Sequence, residues 1–129
     1  MRDFLAVAAG GAIGATARYT VYLLTTRWLG SDFPYATLIV NVLGSFVMGA
    51  LIEYMALVWS ASQHARVFLA VGVSGGFTTF SSFSLDVVTL YERGKFELAG
   101  LYICASVALS VGGLFLGLRT VRRLLQPLL

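Results

Sequence analysis

The sequence predicts an all-α membrane protein with four transmembrane helices, the third of them broken near mid-membrane. Three observations carry the prediction. Of 129 residues, 58% are hydrophobic and only 12% charged, and the mean hydropathy is +0.85, more apolar than a soluble domain can cover with its own surface. Breaking the chain at its charges leaves long uncharged runs, Phe33 to Ile52, Val67 to Leu85 and Leu98 to Leu118, with a fourth run from Phe4 to Leu24 interrupted only by Arg18. Each run is close to the ~20 residues that cross a ~30 Å hydrocarbon core. The third run contains 72-GVSGGFTTFSSFS-84, in which a glycine pair and two adjacent β-branched threonines weaken a helix in the middle of the bilayer.

Helices are expected at about 3–26, 34–59, 66–91 and 97–122, joined near 27-RWLGSDFP-34, 60-SASQHA-65 and 92-ERGKFE-97. These four helices use the whole of 1–129, so a single four-helix transmembrane domain is expected, with no linker or tail to carry a separate activity. The first run also reads as a signal peptide, but three further spans follow it and Asp3 weakens the positive start such a signal wants. The single Cys104 excludes an internal disulfide and packs as a small apolar residue.

Charge at the span ends speaks to orientation. In a four-span chain one side holds Arg2, Arg66, Arg119, Arg122 and Arg123, and the other holds Arg27, Arg93 and Lys95. The bias is modest. A chain so weakly biased can insert both ways, and two copies of opposite orientation would pair about an axis in the membrane plane, as inverted repeats do in larger transporters; a single orientation is the alternative that charge counting leaves open. Gly10 and Gly14, Gly44, Ser45 and Gly49, and Gly113 and Gly117 give the first, second and fourth spans small faces for close helix contact.

The candidate chemistry is polar but almost uncharged. A break in the third span frees carbonyls attractive to a cation, and a glycine kink without a ligand is the other reading. Beyond it, Phe80 and Phe83 share a helix face, with Ser81, Ser82 and Ser84 on neighbouring faces. A phenyl ring is positive at its edge, so a ring presented edge-on favours an anion without carrying a charge; packing against lipid or another helix is the alternative. Asn41 lies in the uncharged second run, where its amide must find a partner. Tyr102, Ser106 and Ser110 recur every four residues as one polar stripe, which is either a wet pathway or interhelical glue.

Arg18 is the one cation well inside a span and is a functional candidate by that position; snorkelling or pairing with a helix-end carbonyl is the alternative. No His, Cys, Asp and Glu cluster has metal-enzyme spacing, and no nucleophile–base pair or phosphate-cradling loop followed by lysine is present, so an enzyme is not expected. The positive charge lies at membrane borders, where it serves topology and does not point to nucleic acid.

Together, 10-GGAIGATARY-19, 37-TLIVNVLGS-45 and 75-GGFTTFSSFS-84, in a four-span chain of this length, closely resemble the Fluc, or CrcB, family of fluoride channels. The likeness covers essentially all spans. It implies an antiparallel, dual-topology homodimer with two parallel pores, conducting fluoride passively out of the cell across the inner membrane of a bacterium or archaeon. It further implies a structural sodium ion where the two broken third helices meet, held by backbone carbonyls at positions matching Gly75 and Thr78. By the same resemblance Phe80, Phe83, Asn41, Tyr102, Ser106, Ser110, Ser81 and Ser82 line the fluoride path, and Arg18 belongs to the vestibule. Two positions depart from the family: Ser82 stands where threonine is usual, and Asp86 where glutamate is. Serine frees the side chain to turn and aspartate shortens the acidic arm, so conduction rate or vestibule geometry is expected to change while fold and selectivity hold. The rival reading, a small dual-topology proton-coupled multidrug exporter, needs a membrane-embedded carboxylate typically in the first span, and Phe4 to Leu24 contains none.

Overall fold

A computed structural model describes residues 1–128. Its described residues form α1 (Arg2–Leu29), α2 (Tyr35–Leu57), a composite third element, α4 (Phe80–Glu92) and α5 (Phe96–Leu125). The third element, α3, joins Gln63–Arg66, a π-helical stretch Val67–Ser74 and the short turn Gly75–Phe77. Four helical segments are long and apolar enough to cross a membrane: Arg2–Leu29, Tyr35–Leu57, Gln63–Glu92 and Phe96–Leu128.

Local chemistry sets the ends. Gly30, at φ +78°, closes α1 and returns its N–H to the Thr26 carbonyl at 3.1 Å. Ser62 starts α3 by accepting from the Ala65 N–H. Gly94, at φ +73°, ends α4, with its N–H on the Tyr91 carbonyl and the Lys95 N–H on the Leu90 carbonyl, both at 2.9 Å. That pair of bonds is a Schellman closure, and it turns the chain directly into α5. Between Phe77 and α4, Thr78 (φ −80°, ψ 159°) and Thr79 (φ −155°, ψ 121°) are extended.

The helices pack as two parallel pairs. A methyl group added at Gly10 would meet Phe68 and Gly72, and one at Gly14 would meet Val73, Phe77 and Gly76. The numbers rise together, so α1 and α3 run in the same direction. Likewise Gly113 faces Val42, and Gly117 faces Phe46 and Ala50, so α2 runs parallel to α5. In lipid the apolar surface gains little from helix association, so backbone approach through small residues carries the packing. Outside these seams the surface is apolar, with Phe4, Ile13, Leu23, Leu43, Leu101 and Leu116 all exposed.

At one end of the α2–α5 pair, Arg122 forms a two-pronged ion pair with Glu53, Nε to Oε1 at 2.7 Å and Nη2 to Oε2 at 3.1 Å. Glu53 is buried; the fork satisfies both of its oxygens. Asp3 at the start of α1 accepts from Gln63 Nε2 at 3.1 Å and pairs with His64, so the histidine seen in sequence as a loop residue ties α3 to α1. Both contacts lie at the end that holds the chain termini.

Gly10 and Gly11 separate packing from propensity. Gly10→Ala drives a methyl into the α3 backbone, with Gly72 Cα at 2.9 Å, and is expected to cost about 1–3 kcal/mol. Gly11→Ala points into open space and gains up to about 1 kcal/mol of helix propensity. Thermal unfolding in detergent should therefore lower the midpoint for the first variant only; equal midpoints would show that the α1–α3 seam does not require glycine.

Candidate functional site: a hydroxyl-lined cavity at the interrupted third helix

A regular helix would send the Thr79 N–H back to the Gly75 carbonyl. Here it donates to Asn41 Oδ1 at 2.8 Å, while Asn41 Nδ2 donates to the Thr79 carbonyl at 2.9 Å. One side-chain amide on α2 thus takes both backbone groups of an extended residue on the facing segment. Gly44, one turn further on, lets α2 close on this segment, since any side chain there would strike Thr78 and Phe77.

Thr79 also starts α4. Its Oγ1 accepts from the Ser82 N–H at 3.2 Å and lies 3.3 Å from Ser81 Oγ and 3.2 Å from Ser82 Oγ. Ser81 and Ser82 are therefore engaged with the helix start. The Thr78 carbonyl accepts from Arg18 Nη1 at 3.3 Å, so Arg18 reaches across from α1 to the interruption.

Beside this junction lies a cavity of about 310 Å³, open on the outer side of the subunit and lined by Asn41, Ser45, Thr78, Thr79, Phe80, Phe83, Ser106, Val107, Ser110 and Val111. Asn41, Phe80, Phe83, Ser106 and Ser110, separated in sequence by up to 69 positions, come together in its wall. The Ser106 hydroxyl is buried and has no hydrogen-bond partner among the described residues. An unsatisfied donor at such a place is costly. The cavity can therefore offer O–H and N–H donors to a small anion or a water molecule, in a wall that contains no charged side chain.

Tyr102 stands just outside that wall. It is wholly buried, its ring 5.3 Å from Phe83 and 5.5 Å, edge-on, from Phe33, and its hydroxyl donates to Asp86 Oδ2 at 2.9 Å. Phe83 in turn lies 5.3 Å from Phe80, a residue that is 77% exposed. The aromatic row Phe80–Phe83–Tyr102 leads from the open side of the cavity towards a second cavity of about 230 Å³, lined among others by Tyr22, Thr37, Asp86 and Arg93. There Tyr22 and Thr37 share a hydrogen bond at 2.5 Å.

Sequence reasoning missed Thr79 as the backbone partner of Asn41, and read Ser45 only as part of a small packing face. A signal for Ser45 existed, since Thr37, Asn41 and Ser45 repeat every four residues as Tyr102, Ser106 and Ser110 do. No group of three or more His, Cys, Asp or Glu that could hold a metal occurs among the described residues.

Comparison with known proteins gives this arrangement a family. Residues 5–118 match the model of the family described as CrcB-like protein, Camphor Resistance (CrcB). The chain is 56% identical over 122 residues to the fluoride-specific ion channel FluC of Rhodospirillum centenum, covering 95% of this chain and 97% of that one. It is 52% identical to the FluC of Granulibacter bethesdensis over 126 residues, covering 98% and 99% of the two chains. To the FluC of Agrobacterium fabrum it is 49% identical over 124 residues, covering 96% and 99%. All three relatives bear the name of an ion channel and none that of an enzyme. With a family model over nearly the whole chain and relatives about half identical from end to end, this protein belongs to the CrcB family.

Proposed function

We propose that the protein is a fluoride-selective ion channel, not an enzyme, that lets fluoride leave a bacterial cell passively across the inner membrane. The observation that carries the reading is the unpartnered, buried Ser106 hydroxyl in a cavity that also holds Asn41, Ser110 and two phenylalanine rings. The names of the relatives support it.

Fluoride is small and tightly hydrated, so a pore must replace its water with hydrogen-bond donors and positive ring edges. Without a fixed cation the site binds the ion without trapping it. Serine hydroxyls and the second N–H of the Asn41 amide, the first being spent on the Thr79 carbonyl, supply such donors, and Phe80 and Phe83 supply the ring edges. Larger halides are refused mainly by width.

The working unit is a homodimer of opposed subunits embedded in lipid, with two pores and no nucleic-acid partner, and one four-helix transmembrane domain per chain. One feature supports a partner on the open side of the cavity: Phe80, a large apolar residue of its wall, is largely exposed. In this reading the extended pair Thr78–Thr79 is a mid-membrane break that meets its copy at the dimer axis. Arg18 sits in the vestibule beside the break.

The break has the donor chemistry for sodium. In a continuous helix the Gly75 carbonyl would accept from the Thr79 N–H and the Thr78 carbonyl from the Ser82 N–H; both N–H groups are committed elsewhere, to Asn41 and to Thr79 Oγ1. The Gly75 carbonyl is thereby released from helical bonding, and the Thr78 carbonyl, which accepts from Arg18 Nη1, keeps a second lone pair; Gly75 and Thr78 would hold the ion by these oxygens. When bound, sodium supplies a fixed positive charge tying the two breaks together, and it is structural, not transported.

Efflux from liposomes carrying the purified protein, followed with a fluoride electrode and repeated with chloride, tests the reading. Fast passive fluoride loss with negligible chloride loss is expected, and retained fluoride in the presence of sodium would defeat the reading. Phe80→Ile and Phe83→Ile should each cut fluoride flux at least tenfold while the dimer still elutes intact, about 1.4 kcal/mol or more in the barrier. Undiminished flux in both would remove the rings from the mechanism. Asn41→Leu strands the N–H and carbonyl of Thr79, at about 1–3 kcal/mol for each buried group. Amide exchange at Thr79 should accelerate and the thermal midpoint fall; an unchanged exchange rate would show that Asn41 does not hold the break.

A further inference from the structure

The cavity contains one polar side chain with no partner and no assigned role. Ser45 follows Asn41 by four residues on α2, so both lie on one helix face, about 6 Å apart along the axis. The residue four before Asn41 is Thr37, which lies beside Tyr102 in the buried part of the helix packing. Because α2 and α5 run parallel, this row keeps step with Tyr102, Ser106 and Ser110, and every rung is offset by the same 65 positions. Asn41 and Ser106 form a rung of the cavity wall, and Ser45 and Ser110 form the next.

Five other hydroxyls are spent on the backbone, while Thr25, Thr26, Ser74 and Thr89, which lie away from this cavity, also make no side-chain hydrogen bond among the described residues. Thr16, Thr20, Thr78, Ser84 and Thr120 each donate to the carbonyl four residues back, at 2.7 to 3.1 Å. Such back-bonding is the default for Ser and Thr in a helix. Ser45, Ser106 and Ser110 make no hydrogen bond among the described residues, and all three line the same cavity. Ser106, 6% exposed, is buried without a partner. Free donors gathered in one polar wall await a ligand that accepts hydrogen bonds.

We infer that Ser45 is a further anion-contacting residue of this channel: its hydroxyl, paired across the cavity with Ser110, donates to fluoride one helical turn beyond Asn41. The inference rests on the fluoride-channel reading and adds to it. The path then has two rails, α2 with Thr37, Asn41 and Ser45, and α5 with Tyr102, Ser106 and Ser110. Below the last rung the wall closes, because Gly49 and Gly117 bring the two backbones into contact through Leu114 and Phe46. The ion handed on by Ser45 and Ser110 therefore leaves sideways along the open face of the cavity and not between α2 and α5.

Fluoride efflux from liposomes is measured for the wild type, Ser45→Ala, Ser45→Thr and Thr120→Ala, each confirmed as an assembled dimer by size-exclusion chromatography. Losing one hydrogen bond to a charged ligand should lower the flux of Ser45→Ala about tenfold. Ser45→Thr, which keeps the donor, should restore most of the loss, and Thr120→Ala, whose hydroxyl is spent on Leu116, should conduct as wild type. Wild-type flux in assembled Ser45→Ala would overturn the inference while leaving the channel reading intact; absent flux in the wild type would overturn the channel reading itself. Should Ser45→Ala fail to assemble, Ser45→Cys decides, since its thiol is of similar size and a much weaker donor: reduced flux supports the contact, and wild-type flux overturns it.

Discussion

The reciprocal hydrogen bonds between the Asn41 amide and the Thr79 backbone are the constraint on which the rest of the site depends. At membrane depth a chain cannot leave its helix unless something replaces the lost bonds, because no water is there to do so. Asn is suited to the task by having one donor and one acceptor side by side, which match the N–H and C=O of a single extended residue. Once Thr79 is held in this way, its hydroxyl is positioned to start α4, and the start of α4 fixes where Phe80 and Phe83 project. One polar side chain on α2 thus sets the geometry of a segment 38 residues away.

That bond requires α2 to approach the interruption closely, and the glycines make the approach possible. Gly44 clears the space before Thr78 and Phe77, Gly49 and Gly117 seat α2 on α5, and Gly10, Gly14 and Gly72 seat α1 on the π-helical stretch. Apart from Gly44, which faces the side chains of Thr78 and Phe77, each contact is backbone against backbone. In lipid this is where packing energy comes from, and it leaves Ser45, Ser106 and Ser110 free of hydrogen-bonding duty between the helices. The cavity is what remains where the small residues give way to Asn41, Ser45, Ser106 and Ser110.

The four spans were legible because their signal is additive: some twenty apolar residues in a row outweigh any single position. The family was legible because Asn41 and the 75-GGFTTFSSFS-84 stretch are specific in combination. What sequence did not disclose depends on facing. Tyr102 belongs by period to the stripe of Ser106 and Ser110, yet its side chain is buried against Phe83 and Phe33 and only the two serines line the cavity. Ser45, one residue after Gly44, looked like more of the same small face, whereas successive helical residues point about 100° apart and the two serve different neighbours. The π-helical stretch had no signal at all, since VFLAVGVS is equally good α-helix by composition. The partner of Asn41 was likewise hidden, because which backbone group a side chain meets is decided by the whole packing.

The economy of charge follows from these placements. Among the acidic groups of the spans, Glu53 is neutralised by Arg122 at the terminal end, and Asp86 accepts from Tyr102 beyond the phenylalanine row. The wall of the cavity at the interruption is left with hydroxyls, one amide, two phenyl rings and two valines. A fixed cation there would bind an anion too well to release it, and a bare apolar wall would not compensate its lost hydration. Neutral donors fall between these limits, and their strength is tuned by how many remain free. In the cavity wall Thr78 spends its proton on the Ser74 carbonyl, whereas Ser45, Ser106 and Ser110 make no such bond, so the wall holds both structural and ligand-facing hydroxyls. On the proposed reading, conduction depends on keeping those three protons unclaimed. The way those side chains turn from the carbonyl four residues back is therefore as much a part of the site as the side chains themselves.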